Sequence, residues 1–268
     1  FMEPSDYMRE KMGLRAANLS SIHLCSQKKM NLPMVLEIKN VSLYYNKQPV
    51  MEHISFKAAK GEIIGIVGHN GAGKSTTIKS IVGILPFDDG DILIDGISIK
   101  KDPIACKKMI AYIPDNPDIY DSLTGIQYLN FIADIFKVDK TTRKAIIDKY
   151  ASEFELTNDL NNLISSYSHG MKQKLVIISA LVHSPKLLIL DEPFVGLDPK
   201  ATYLVKKAMV EFCENGGAIF FSTHVLEVAE KLCNKLAIIK NGKLLITGKM
   251  EEVIKDSTLE DVFMELTN

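Results

Sequence analysis

The sequence predicts an α/β domain: a parallel sheet covered by helices, with an antiparallel β portion and an inserted helical subdomain. Compact apolar strands alternate with helix-length segments, which favours a parallel sheet. Hairpins with glycine turns stand outside that alternation. One long stretch, Thr124–Leu156, carries a helical period with few breakers.

The elements follow in order. Organised sequence begins at Val35, where VLEIKNVSLYY alternates apolar and polar residues as a strand does. A second strand falls near Val50–Ala58. The run GEIIGIVG ends at Gly68 and is apolar on both faces, as a parallel strand covered by helices must be. A helix then runs from Lys74 to about Val82. Asp91–Ile99 reads as a hairpin turning at Asp95-Gly96. After the helical stretch, a further helix follows Ser168, and the helical subdomain is placed at about 117–185. Strand KLLIL, helix 200–214, strand GAIFF and helix 225–232 continue the alternation. The hairpin LAIIKNGKLLITG turns at Asn241-Gly242, and a last helix covers roughly Thr258–Leu266.

With 268 residues, 46% hydrophobic and 24% charged, the chain can bury the core of one large domain or two small ones. A net charge of −1 provides no basic field to hold nucleic acid, so no nucleic-acid partner is expected. No apolar run approaches the roughly 20 residues that span a bilayer, and the amino terminus lacks signal-peptide order. Cys25, Cys106, Cys213 and Cys233 lie far apart and read as reduced thiols. The expectation is a soluble cytoplasmic chain. Residues 1–33 read as an appended or mis-started extension, with an amphipathic arm touching a partner as the alternative. Phe1 is no natural initiator, and Met2, Met8, Met12, Met30 and Met34 offer several starts.

Gly68, His69, Asn70, Gly71, Ala72, Gly73, Lys74 and Ser75 fit the phosphate-loop pattern, between a buried strand and a helix start. Glycines let successive N–H groups turn toward one anion, and the helix beginning at Lys74 adds favourable potential. Lys74 supplies a mobile positive charge to β- and γ-phosphates, and Ser75 a hydroxyl for Mg²⁺. Thr76, next along, is counted with the nucleotide-binding residues. Nothing chemical calls for His69, which reads as a spacer. Four apolar residues, Leu187–Leu190, then end in Asp191 and Glu192. A buried strand brings Asp191 to the sheet's carboxyl edge to hold Mg²⁺ directly or through water. Glu192, one position later, points away from Asp191 and can face a water aimed at the γ-phosphate.

Over about residues 34–268 the chain resembles an ABC transporter nucleotide-binding domain, which implies a RecA-like P-loop NTPase core. Tyr45 matches the aromatic that stacks on adenine in that family, with Tyr44 as the neighbouring alternative. Tyr167-Ser168-His169-Gly170-Met171 occupies the place of the LSGGQ signature; Ser168 and Gly170 are the members kept. Val195-Gly196-Leu197-Asp198 matches the loop that crosses to the opposite subunit, and His224 the switch histidine. Asp115 stands where the family most often has Gln; it could ligate Mg²⁺ or fail to reach it, and Asn116 is the alternative if the register shifts by one.

The resemblance implies ATP and Mg²⁺ as ligands and Lys74, Glu192 and His224 as the catalytic residues. It also implies a homodimer formed in the presence of ATP, with Ser168 and Gly170 completing the site of the other subunit. The work is done on a separate membrane-spanning subunit, from the inner face of the cell membrane, and the ending TLEDVFMELT resembles exporter-type subunits. A soluble ATPase acting on nucleic acid or ribosomes is the alternative. Ribosome-acting members carry each motif twice, and chromosome-acting members separate loop from signature by hundreds of coiled-coil residues. Neither arrangement is present.

Overall fold

The computed structural model describes residues 33–267, so the expectation of an extension over residues 1–33 lies, but for Pro33, outside the described residues. The amino-terminal alternation becomes β1 (Met34–Tyr45), which pairs antiparallel with β2 (Gln48–Ala59) and β4 (Asp89–Ile94). A short β5 (Ile97–Ser98) closes the hairpin at Asp95-Gly96. The apolar runs become β3 (Ile63–Val67) and β7 (Leu187–Asp191), both buried along their whole length. With β6 (Ile110–Ile113), β8 (Ala218–Thr223) and β9 (Lys235–Lys240) they form a parallel array. The last strand, β10 (Lys243–Lys249), returns antiparallel to β9 and meets β2 at Lys243 and Glu52. The order is β5-β4-β1-β2-β10-β9-β3-β8-β7-β6.

The sheet separates two apolar layers because strand side chains alternate in direction. On β7, Leu188 and Leu190 join one layer while Leu187 and Ile189 join the other. The second layer is closed by α1 (Lys74–Ile81), α2 (Pro103–Met109) and the antiparallel strands. The first lies under α3 (Gly125–Ile135), α4 (Lys140–Glu153), α5 (His169–Leu181), α6 (Pro199–Glu214) and α7 (Leu226–Leu232), with α8 (Met250–Ile254) and α9 (Leu259–Thr267) at one end.

One helical segment differs from its expectation. Thr124–Leu156 is two helices, α3 and α4, rather than one. Lys137 adopts φ 57°, and Asp139 Oδ1 accepts from Thr141 N and Thr142 N at 3.1 and 3.0 Å, starting a new helix. Thr124 and Gln127 form a capping box that starts the first. Three further elements, α2, β6 and α8, were not expected: α2 begins at an Asp102 cap with Pro103 in its first turn. The four residues of β6 are too few to announce themselves by period, and parallel pairing with β7 defines them.

Candidate functional site

Register decides where the chemistry gathers. Val67 pairs with Thr223 across β3 and β8, and Asp191 pairs with Ser222 across β7 and β8. The carboxyl ends of all three strands are therefore level. The phosphate loop leaves β3, the two acids end β7, and His224 follows β8, all at one edge of the sheet.

Within the loop, Gly71 and Gly73 have φ of 80° and 108°, which side-chain-bearing residues adopt only under strain. At Gly68 a Cβ would stand 2.4 Å from the carbonyl oxygen of Ile239, so the loop leaves β3 tightly against β9. The His69 carbonyl accepts from Ala72 N at 3.1 Å, and the Ala72 carbonyl accepts from Gly242 N at 2.8 Å, tying the loop to the β9–β10 turn. Lys74 is buried, and its Nζ donates to the Gly68 and His69 carbonyls at 2.8 and 3.3 Å. Asn70 and Ser75 are exposed and Thr76 half-buried at the loop's outer side. His69 is exposed too, and its ring meets Phe263 of α9 edge-on, with centroids 5.0 Å apart.

Asp191 is 3% exposed, and its Oδ1 accepts from Ser222 Oγ at 2.5 Å. The same hydroxyl accepts from Glu192 N at 3.0 Å. Glu192 has φ 50°, a left-handed backbone for a residue with a side chain, costing on the order of 1–2 kcal/mol. The turn sets its carboxylate between two nitrogen partners: Oε1 is 3.8 Å from Lys74 Nζ and Oε2 is 3.0 Å from His224 Nδ1. His224 N also donates to Oε2 at 3.3 Å. No sequence motif assigns Ser222 a role. Its bridge between the two acids depends on register, which no local pattern displays.

Tyr45 is 73% exposed and lines an open apolar groove with Tyr44, Phe87 and Thr76, the last joining the groove to the phosphate loop. Asp115 lies just beyond β6, exposed, with Oδ1 accepting from Asn116 N at 2.9 Å. Burial, followed by the Asp191 and Asp115 charges, pushes the Tyr112 phenol up to about 12, so it stays neutral beside them. The oxygen donors of Ser75 and Asp191 suit a hard cation such as Mg²⁺. Among the described residues no cluster of three His, Cys, Asp or Glu could hold a metal alone.

Ser168 and Gly170 lie elsewhere. Ser168 caps α5, its Oγ accepting from Met171 N at 3.2 Å, and a Cβ on Gly170 would meet nothing within 4 Å. Among the described residues no hydrogen bond or salt bridge joins either to the phosphate loop. His169 folds back instead: a Cβ on Gly196 would stand 2.9 Å from its Nε2. Asp198 in the same loop caps α6, accepting from Ala201 N at 2.7 Å.

Comparison with known proteins agrees with this geometry. The family model described as ABC transporter matches residues 51–195. The chain is 34% identical over 238 residues to the ABC-type transporter ATP-binding protein EcsA of Bacillus subtilis, covering 87% of this chain and 96% of that one. It is 35% identical over 211 residues to the SkfA peptide export ATP-binding protein SkfE of the same organism, covering 79% and 87%. A solved ATP-binding subunit of an ABC transporter superposes with TM-score 0.83 at 34% identity, covering 87% of this chain and all of that one. A P-loop core, a level edge of loop and acids, and relatives matched over nearly their whole length lead to one conclusion: this chain belongs to the ATP-binding proteins of ABC transporters, the family that hydrolyses ATP to power transport.

Proposed function

We propose that the chain powers export through a separate membrane subunit, pairing with a second copy of itself around two MgATP molecules. The observation that carries the catalytic part is the Glu192 carboxylate, set between Lys74 and His224 at the end of a buried strand. Phosphates entering the loop take the Lys74 ammonium from the backbone carbonyls it now contacts, and the loop N–H groups hold the β-phosphate. Adenine lies against Tyr45 in the groove beside Thr76. Ser75 and Asp191 hold Mg²⁺, with Asp115 as a further ligand once it releases Asn116. When bound, the ion neutralises charge on the β- and γ-phosphates. Glu192 takes a proton from the attacking water, and His224 Nδ1–H fixes the receiving carboxylate.

Ser168 is exposed and Gly170 half-buried at the start of a thirteen-residue helix, and that helix end attracts anions. They are free to complete the γ-phosphate site of a second subunit. Export is favoured by the likeness to SkfE, a peptide export protein, and by the ending TLEDVFMELT. Among the described residues no helix is long and apolar enough to cross a membrane. The chain works at the inner face of the membrane, beside its membrane subunit. The cleft beside Asp115, between β6 and helices α3 and α5, is lined by Pro114, Pro117, Ile132 and Phe136 and accepts the membrane subunit.

The test is phosphate release from MgATP by the purified chain, followed by affinity capture of its Glu192→Gln variant from native membranes with ATP. Turnover together with a co-captured membrane-spanning protein supports the reading. A purified chain that neither binds nor cleaves MgATP overturns it.

A further inference from the structure

Two features of the sequence have no part in the chemistry above: His69 inside the phosphate loop and the amphipathic ending TLEDVFMELT. The fold brings them together. The His69 ring meets the Phe263 ring edge-on, centroids 5.0 Å apart and planes at 63°. Phe263 is 6% exposed, while His69 sits at the surface of the loop.

Helix α9 is anchored well enough to act as a brace. Leu259 is fully buried, and its N–H donates to Glu230 Oε2 at 2.9 Å. At the other end Lys240 Nζ, on β9, donates to the Thr267 carbonyl. The loop is tied to the same β9–β10 hairpin through Gly242 N and the Ala72 carbonyl, 2.8 Å apart. Loop, hairpin and terminal helix thus close a ring of contacts, and the His69–Phe263 pair is the link between helix and loop.

The His69 peptide matters because its carbonyl is an internal anchor of the loop, accepting from Ala72 N and from Lys74 Nζ at 3.1 and 3.3 Å. Holding the ring restricts rotation of that peptide, and with it the direction of the N–H groups that receive phosphate. We propose that Phe263 is a positioning residue for the nucleotide, acting through His69 to keep the phosphate loop preorganised. The proposal rests on the reading of Gly68–Ser75 as the phosphate site.

The experiment is a double-variant cycle on the full chain, using His69→Ala, Phe263→Leu and the combination, read by titration of a fluorescent MgADP analogue and by steady-state hydrolysis. Phe263→Leu keeps apolar bulk in α9 but loses the ring. Each single variant is expected to weaken binding about two- to tenfold, the range of an aromatic pair. KM for MgATP rises while kcat stays within about twofold. The combination is no weaker than the weaker single variant, since both remove one contact. His69→Phe, which keeps a ring against Phe263, retains the wild-type affinity. Wild-type affinity in both single variants overturns the proposal, as do multiplying losses in the combination or a loss in His69→Phe. A fall in thermal stability alone, with nucleotide affinity unchanged, also overturns it by making Phe263 only a packing residue. Wild-type protein that bound no nucleotide would instead sink the phosphate-loop reading, and this inference with it.

Discussion

Ser222 Oγ lies 2.5 Å from Asp191 Oδ1, and the two residues are register partners on adjacent parallel strands. The hydroxyl donates to Asp191 and accepts from the Glu192 N–H, so one fully buried side chain orients both acids. Ser222→Ala leaves an acceptor and a donor unpaired at a dry strand end. The expected cost is about 1–3 kcal/mol of stability. ATP hydrolysis falls about 10–100-fold, as when a group holding a metal ligand is removed. Denaturant midpoints and phosphate release measure the two losses. Full activity in a stable Ser222→Ala would mean that Asp191 needs no such support.

Lys74→Ala removes the buried ammonium that the Gly68 and His69 carbonyls hold. Charge-assisted contacts contribute roughly 1.5–3 kcal/mol each, so MgATP affinity drops by about tenfold or more and turnover vanishes. Isothermal titration and phosphate release give both numbers. Unchanged binding and hydrolysis would move the phosphate site away from this loop.

How far this was legible varies by physical cause. The loop, the paired acids and the apolar strands carry their own local signals, and each stands where the pattern placed it. The break between α3 and α4 has a local signal in Asp139, a capping residue that the single-helix reading of Thr124–Leu156 left unused. The Ser222 bridge and the His69–Phe263 contact were invisible because they join residues distant in sequence. Strand register creates the first, and the return of the chain end to the phosphate loop the second.

Asp115 Oδ1 is engaged by Asn116 N within its own turn, at the lip of the cleft assigned to the membrane subunit. Asp115→Gln lengthens the side chain, removes its charge and frees Asn116. Nucleotide affinity is expected to stay within about twofold, since the Gln carbonyl oxygen can take the place of the Asp115 carboxylate as an oxygen ligand for a hard cation. The stimulation of hydrolysis by the membrane subunit changes. The measurement is the ratio of rates with and without that subunit, for both proteins. Identical ratios would leave Asp115 no special part in coupling.

Cys106, Cys213 and Cys233 are all buried, and burial pushes each thiol up, Cys213 to about 12. An unfolded chain deprotonates the same thiols near about 8.5. Their contribution to stability is therefore complete below that pH and declines as pH rises through it toward the folded values. Peptide mapping after iodoacetamide at pH 8 should find these three unmodified in native protein and modified in denaturant. The denaturant midpoint should fall between about pH 8 and 10. Rapid native labelling of Cys213 or Cys233 would contradict their burial.

Glu192→Gln is the sharpest test of the site. The amide keeps the length of the side chain and its oxygen can still accept from His224, whose Nδ1 lies 3.0 Å from Oε2. It cannot take a proton from water. Loss of a general base costs roughly 10²–10⁴ in rate, and the proposed contacts of Lys74, Ser75 and the second subunit's Ser168 with phosphate are untouched. Replacing the charge also removes the carboxylate that stands 3.8 Å from Lys74 Nζ and competes with phosphate for it. MgATP should therefore bind at least as tightly as to wild type and persist uncleaved, holding two subunits together. Light scattering of the variant with ATP, with ADP and without nucleotide reads the outcome directly. A dimer with ATP alone fits a site completed by Ser168 and Gly170 across the interface. A monomer in all three conditions, with hydrolysis at the wild-type rate, would remove both the role of Glu192 as base and the paired arrangement.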